Sequence, residues 1–433
     1  MPAISQIREG FKNTAFRSVG MYIFTNFFSK GISFILIPLF TNPLYLSPTD
    51  NGMLSLFSSN LILLAPFVSL GMIQSSSADF YKRPQDDFAN SFTTNFFISA
   101  AMALLGMAVL FLFRSFLREK FDMPDSFIFL LPFLAFLIFS GEQLFALIRN
   151  RNEVKQYATI GISKALLEYG VSVVLIAFFF TGWKGRVWGI AASLIAVNLF
   201  AIYYYAKHKY IRFGFRKKDI WEELKFGLPV FVFQLSLFMI STSNKFFLAL
   251  FNVDKYQLGI YAIACILGAM VGVISQSIIL HVQPKLYRSI SSGEVTIRSI
   301  KKVFFDYFKL LTTLSLVCVA GLVFTYFFVI NKIYLSGLRY FFIVALSSYI
   351  WGLNYFLFLF LLYQKQKRKI LIIALIAIIS AAALNYIMVK KYQILGDALS
   401  TLISTIIYSG LIMLFITKVI KQTVNARAAI EKL

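Results

Sequence analysis

The chain has 433 residues; 59% are hydrophobic, only 14% are charged, and the formal net charge is +23. A soluble protein carries about 25% charged residues, so these values exclude a soluble fold and imply a polytopic membrane protein. The excess positive charge is spread over short loops between apolar runs, which points to membrane orientation and not to a nucleic-acid partner.

The N-terminal segment MPAISQIREGFKNTAF has no short apolar core followed by a small-residue cleavage site, so no signal peptide is expected. The first apolar stretch covers 16–40, enough for a helix to cross a bilayer, which takes about 20 residues. Lys30 lies well inside it. An intramembrane lysine costs about 2.5–3.5 kcal/mol on insertion scales, so Lys30 is expected to face a wet interior or a partner. The alternative is snorkelling to an interface along its own stem.

Eleven further apolar spans follow, at 52–74, 91–113, 126–148, 157–181, 187–206, 226–251, 257–281, 303–330, 338–362, 370–389 and 396–417. They are long continuous runs and not the short alternating segments of a membrane β-barrel. Cys265 and Cys318 both lie in such runs, which implies neither a disulfide framework nor a metal site. The N-terminus and every second loop together hold 28 Lys and Arg; the opposite side holds 10, and Lys30, Lys164, Lys245 and Lys309 lie within spans. Both termini are therefore predicted to be cytoplasmic.

An internal repeat is visible in four glycines. Gly52 and Gly189 open the second and sixth spans, 137 residues apart; Gly259 and Gly396 open the eighth and twelfth, again 137 apart, so the copies are offset by 207. Six spans separate the copies, so both have the same orientation. Two six-helix lobes, 1–206 and 226–433, are expected around a central cavity, related by an axis along the membrane normal. The linker 207–225, KHKYIRFGFRKKDIWEELK, suits a cytoplasmic amphipathic segment at an anionic lipid surface, or a solvated basic loop.

Several short motifs, in order, carry a resemblance. They are Pro48-Thr49-Asp50-Asn51-Gly52, Ser69-Leu70-Gly71-Met72, Leu147-Ile148-Arg149-Asn150 before Tyr157-Ala158, Gly259-Ile260-Tyr261-x-x-Ala264, Gln283-Pro284-Lys285-Leu286 with Ser292-Gly293-Glu294, and Leu384-Asn385-Tyr386 before Ile394-Leu395-Gly396-Asp397-Ala398. This layout resembles the polysaccharide flippases of the multidrug/oligosaccharidyl-lipid/polysaccharide (MOP) exporter superfamily, in particular the O-antigen (Wzx-type) flippases. The resemblance implies a MATE-like all-α fold of about twelve transmembrane helices. It also implies a bacterial inner-membrane location, with an undecaprenyl-pyrophosphate-linked oligosaccharide moved to the outer leaflet. Membrane lipids, a polysaccharide polymerase and a chain-length regulator are the implied partners. No cofactor is implied; any coupling ion would be H⁺ or Na⁺. The chain departs from the pattern at Asn244-Lys245, where an acid followed by a base is usual, and at Asp397, where a small residue is usual. The first departure speaks against acid-based ion coupling in the seventh helix.

Pyrophosphate and sugars cannot enter hydrocarbon unaided, because unpaired charge and hydroxyls cost many kcal/mol there. A polar, cationic cavity is needed, and Lys30 and Lys245 suit it as point-charge partners for phosphate. Asn26 and Asn244 are candidates for sugar hydroxyls, although such amides also join helices, at about 1 kcal/mol each. Lys164 and Glu168, four apart on the fifth span, are expected to pair on one face. Asp306 and Lys309 read as an interfacial pair, Glu142 as wetted, Asp397 as solvated near a span end, and Tyr203-Tyr204-Tyr205 as an interfacial belt. No glycine-rich phosphate loop, paired His/Cys spacing or Gly-x-Ser-x-Gly elbow appears, so a transporter and not an enzyme is expected. The alternatives are a multidrug and toxin extruder, whose cavity should be acidic, and a membrane polysaccharide polymerase or ligase.

Overall fold

The computed structural model describes residues 21–430, except 22–23, 26–27, 29–30, 82, 213–216, 292–296 and 364–365. The described chain is all-helical, without a strand. Ten of its helices are long and apolar enough to cross a membrane.

After a short turn at Ile37–Phe40, the helices are α1 (Pro48–Ser69), α2 (Met72–Asp79), α3 (Gln85–Leu112), α4 (Arg114–Phe121), α5 (Asp125–Asn150), α6 (Val154–Ala177) and α7 (Trp183–Lys207). Then come α8 (Lys217–Ser241), α9 (Ser243–Leu250), α10 (Lys255–Ser291), α11 (Ile297–Phe328), a 3₁₀ turn (Lys332–Gly337), α12 (Leu338–Tyr363) and α13 (Lys367–Ile430). The last is two helices across a break at Gln393 (φ +49°, ψ −125°), so it holds the eleventh and twelfth spans. The helix starts are written in the sequence. Ser47 and Asp50 form a capping box: the Asp50 amide donates to Ser47 Oγ (3.1 Å), the Ser47 amide donates to Asp50 Oδ2 (3.1 Å), and Pro48 supplies a preset φ.

The chain divides into two compact units. Unit 1 takes the described residues of Met1–Phe40, Leu44–Leu46 and Asn60–Phe231; unit 2 takes Thr41–Pro43, Ser47–Ser59 and the described residues of Val232–Leu433. Two helices are thus shared, α1 being divided after Ser59 and α8 after Phe231.

The repeat glycines turn out to be points of close approach. In unit 2, Gly52 and Gly259 pack against each other: a Cβ on Gly52 would strike the Lys255 carbonyl, and one on Gly259 would strike the Pro48 carbonyl and come within 2.9 Å of the Gly52 nitrogen. In unit 1, a left-handed Gly71 (φ +74°) breaks the second span between α1 and α2 and presses on the backbone of Gly227 in α8. Small residues at these crossings let backbones meet, which in a membrane replaces the missing hydrophobic drive between helices.

Each unit has its own aromatic core. In unit 1, Phe88, Phe92, Tyr204, Tyr205 and Tyr210 close on Leu144, Leu147 and Ile148. The expected tyrosine belt is therefore only one residue wide. Tyr203 is 59% exposed, but Tyr204 and Tyr205 are buried and donate to Glu153 Oε2 and the Ser140 carbonyl, both at 2.7 Å. A helix turns about 100° per residue, so three consecutive tyrosines cannot share one face. In unit 2, Tyr307, Leu311, Phe356, Phe360, Tyr408 and Ile412 form the core.

Gly259→Ala is expected to destabilise the detergent-purified protein by about 1–3 kcal/mol through overpacking, read as a lower unfolding temperature. Gly321→Ala, which meets nothing within 4 Å, should leave it unchanged or slightly raised.

Candidate functional site

The seventh span is not one helix. Ser241-Thr242-Ser243-Asn244 places four short polar side chains in a row, and such residues compete with the backbone for hydrogen bonds. The helix breaks at Thr242 (φ −137°, ψ −27°) and restarts as α9. Ser243 Oγ donates back to the Met239 carbonyl (2.7 Å), and the Lys245 amide donates to Asn244 Oδ1 (3.0 Å). Broken helices at membrane depth are tolerated where the freed groups find polar partners within the protein.

Those partners come from α13. Asn385 Nδ2 donates to Ser243 Oγ (2.9 Å), and Asn244 Nδ2 donates to Thr401 Oγ1 (2.8 Å). Thr401 in turn donates to the Asp397 carbonyl (3.1 Å), and Ser400 Oγ lies against both that carbonyl and Asn385 Oδ1. Gly396 allows the turn that starts the twelfth span, since a Cβ there would strike the Met388 carbonyl. Asp397 follows it directly, fully buried, with neither carboxylate oxygen hydrogen-bonded. The carboxylate faces the Tyr261 hydroxyl, also without a hydrogen bond, and lies within electrostatic reach of Lys245 and Cys265. Asp397 is thus a buried acid and not the solvated one expected at a span end.

The six residues singled out from the sequence fall in different places. Lys30 and Asn26 lie outside the described residues. Asn244 and Lys245 belong to the unit 2 cluster just described, where Lys245 is half-buried and makes no ion pair among the described residues. Lys164 and Glu168 belong to unit 1 and do not pair with each other. Instead Arg186 Nη2 takes Glu168 Oε1 (2.6 Å), Arg186 Nη1 donates to Ser172 (3.0 Å), and the guanidinium stacks 4.3 Å from the Tyr169 ring centroid. A planar guanidinium engages a carboxylate, a hydroxyl and a ring at once, which an ammonium cannot. Likewise Lys309 lies over the Phe305 ring (4.5 Å) and forms no ion pair with Asp306 among the described residues, while Glu142 is exposed as expected.

Two polar clusters near the basic loops were not legible from spacing. Arg83 reaches four carboxylates: Asp79 (2.7 Å), Asp219 (3.3 Å), Glu222 (3.3 Å) and the fully buried Glu223 (3.5 Å). The start of α8 is therefore pinned by acids to the end of α2, although the linker reads as basic. Nearby, Arg151 bonds Glu153 (2.6 Å) and the Tyr210 hydroxyl (3.1 Å). Burial opposes ionisation of Glu153, but the hydrogen bonds from Tyr204 and Arg151 win and hold its carboxyl below the ordinary range.

With the geometry in place, the likeness to known proteins can be read. The family described as "Polysaccharide biosynthesis protein" matches residues 15–284, more than half of the sequence. The chain belongs to the polysaccharide biosynthesis protein family. No curated protein matches it at significant similarity. Among solved structures it is similar to an inward-facing multidrug resistance MATE family transporter of the MOP superfamily, with a TM-score of 0.65 and 13% identity over 89% of this chain and 98% of that one. The outward-facing conformation of a transporter so described gives 0.64 and 14% over 93% and 96%. A MATE transporter of Vibrio cholerae gives 0.55 and 13% over 96% and 98%. At such identities the likeness concerns the fold, and the fold of this family member is MATE-like.

Arg83→Ala should leave buried carboxylates uncompensated and cost about 3–5 kcal/mol, seen as loss of folded protein from the membrane. Adding Glu223→Gln to it should restore part of that loss. The lowered Glu153 carboxyl contributes stability above its ordinary value, lost as pH falls through the lowered one. Glu153→Gln should therefore cost about 1 kcal/mol or less at neutral pH, given the partial exposure of the pair. The gap to wild type in pH-dependent unfolding should close in acid.

Proposed function

We propose that this protein is a flippase, and not an enzyme, which moves an undecaprenyl-pyrophosphate-linked oligosaccharide from the cytoplasmic to the outer leaflet of a bacterial inner membrane by alternating access. The glycan is an O-antigen, capsule or exopolysaccharide repeat unit, and both termini are cytoplasmic. The observation that carries this reading is Lys245. It stands just past a break in a membrane helix, makes no ion pair among the described residues, and follows Ser243 and Asn244, whose side chains bond Asn385 and Thr401. An ammonium carried beside a network of hydroxyls and amides is suited to a phosphate and the sugars attached to it. Lys30, on the first span, supplies the second cation. Membership of the polysaccharide biosynthesis protein family supports the same substrate class. Export toward a polymerase and its chain-length regulator follows from that class, and H⁺ or Na⁺ is the coupling ion.

The other reading is a multidrug extruder, since the similar solved structures include transporters described as multidrug resistance proteins. A cation carrier needs an acidic site, and a lysine beside the one buried carboxylate of the α9–α13 cluster disfavours it.

The test is complementation of a strain that has lost its own flippase, with surface polysaccharide and membrane protein level measured together. Lys245→Arg and Lys30→Arg should each retain part of the activity. Lys245→Glu and Lys30→Glu should abolish it by repelling the anion, at near-normal protein level. Wild-type polysaccharide from both glutamate variants would end this reading.

A further inference from the structure

A second polar feature of unit 2 lies apart from the Lys245 cluster. Gln276 of α10 is exposed, although it belongs to an apolar span. Hydrocarbon offers an exposed amide no hydrogen-bond partner, so such a face is at home against water and not lipid. Here α10 and α12 cross closely because Ser275 and Gly352 are small: a Cβ on Gly352 would lie 2.7 Å from the Ser275 Cβ. The approach lets Gln276 Nε2 donate to the Tyr355 hydroxyl (3.0 Å). Among the described residues neither side chain makes another hydrogen bond, so the Tyr355 O–H is left to donate and Gln276 Oε1 to accept.

One turn before Tyr355 on the same face of α12, the Trp351 ring packs edge-on to it, 6.1 Å between centroids. Tyr408 of α13, buried to 3%, stacks on Trp351 (4.9 Å, 22°) and fixes the indole plane. Tyr307 of α11 donates to the Gly352 carbonyl (2.6 Å) and steadies the backbone between the two rings. Trp351 and Tyr355 themselves are half-buried. Trp351 lies eleven residues inside the nearer end of the 338–362 span, about 16 Å at 1.5 Å per residue, too deep for an interfacial aromatic belt. The chemistry on offer suits a neutral ring with one apolar face. Sugar C–H groups carry slight positive charge and match the negative face of an indole. A sugar hydroxyl both donates and accepts, as the Tyr355 O–H beside Gln276 Oε1 requires. An organic cation would need an acid instead; α10 and α12 contain none, and Asp397 of α13 stands eleven residues before Tyr408, about three turns away.

We propose that Gln276, Tyr355 and Trp351 seat one sugar ring of the carried glycolipid: its C–H face lies on the Trp351 indole, and one of its hydroxyls accepts from Tyr355 and donates to Gln276 Oε1. A few polar groups beside an aromatic surface are enough to orient such a ligand. The seat is neutral, so it reads the glycan and not the pyrophosphate. This inference rests on the flippase reading, because the sugar arrives only on a lipid that the protein carries.

The full chain in lipid nanodiscs is titrated with two probes. One is the lipid-linked oligosaccharide extracted from the source bacterium after deletion of this protein's gene; the other is undecaprenyl pyrophosphate, which has no sugar. Wild type should bind the first about tenfold tighter than the second. Gln276→Leu and Trp351→Ala should each remove most of that preference, while the bare lipid binds as it does to wild type. Trp351→Phe, which keeps an aromatic face, should recover part of it. Gln276 is exposed, so its replacement costs little packing and keeps the seat testable if Trp351→Ala does not fold. A preference unchanged by Gln276→Leu overturns the proposal alone, as does an equal loss for both lipids or a wild type that binds both equally. Failure of wild type to bind either lipid overturns the flippase reading and the proposal with it.

Discussion

The middle of a bilayer holds no water, so every backbone polar group there must be satisfied by the chain itself. That constraint explains both the rule and the exceptions in this protein. The rule is the helix: the described residues form helices and turns, with no strand. Among the described residues, two breaks within a span are the exceptions, at Leu70-Gly71 and at Thr242. The first is a left-handed turn pressed on Gly227. The second is met by one polar network, where hydroxyls and amides from α9 and α13 satisfy one another. The candidate site lies where the helical rule is suspended, because only there do polar side chains have a structural reason to gather.

The same constraint governs charge. Glu168 is held by Arg186, and the acids at the start of α8 are held by Arg83. Each of these guanidiniums has several donors and serves more than one acceptor. Asp397 departs from this economy, with an ammonium in reach but not in contact. A buried group that is incompletely satisfied is a recognised mark of function, since the fold tolerates its cost only where something is gained.

Family and fold bear on different questions. A MATE-like arrangement accommodates different cargoes, and function is decided by the residues placed in it. The candidates here are Lys245, Asn244, Asp397 and their neighbours. The fold likeness is to multidrug transporters, while the family match is to polysaccharide biosynthesis proteins.

The sequence alone determined the class and the apolar spans, and it singled out four glycines at a shared offset. Apolar run length and the scarcity of charge suffice for the first two, because the bilayer imposes a single length scale. The four glycines at a shared offset were legible because only glycine permits the backbone approaches seen at Gly52, Gly259, Gly189 and Gly396. Lys245 and Asn244 were found as a polar interruption in an apolar run. Partner choice was decided only by the tertiary structure. Spacing on one helix suggested Lys164 for Glu168, but Arg186, eighteen residues on, offered a better geometry. Asp397, one residue past the start of the twelfth span, read as wetted; close packing at Gly396 drew it inside, facing Tyr261. Tyr204 and Tyr205 read as interfacial, and helix rotation turned them into the core. Local pattern records how apolar a stretch is, whereas the enclosure and pairing of a charge depend on side chains far away in the chain, brought near only when helices pack.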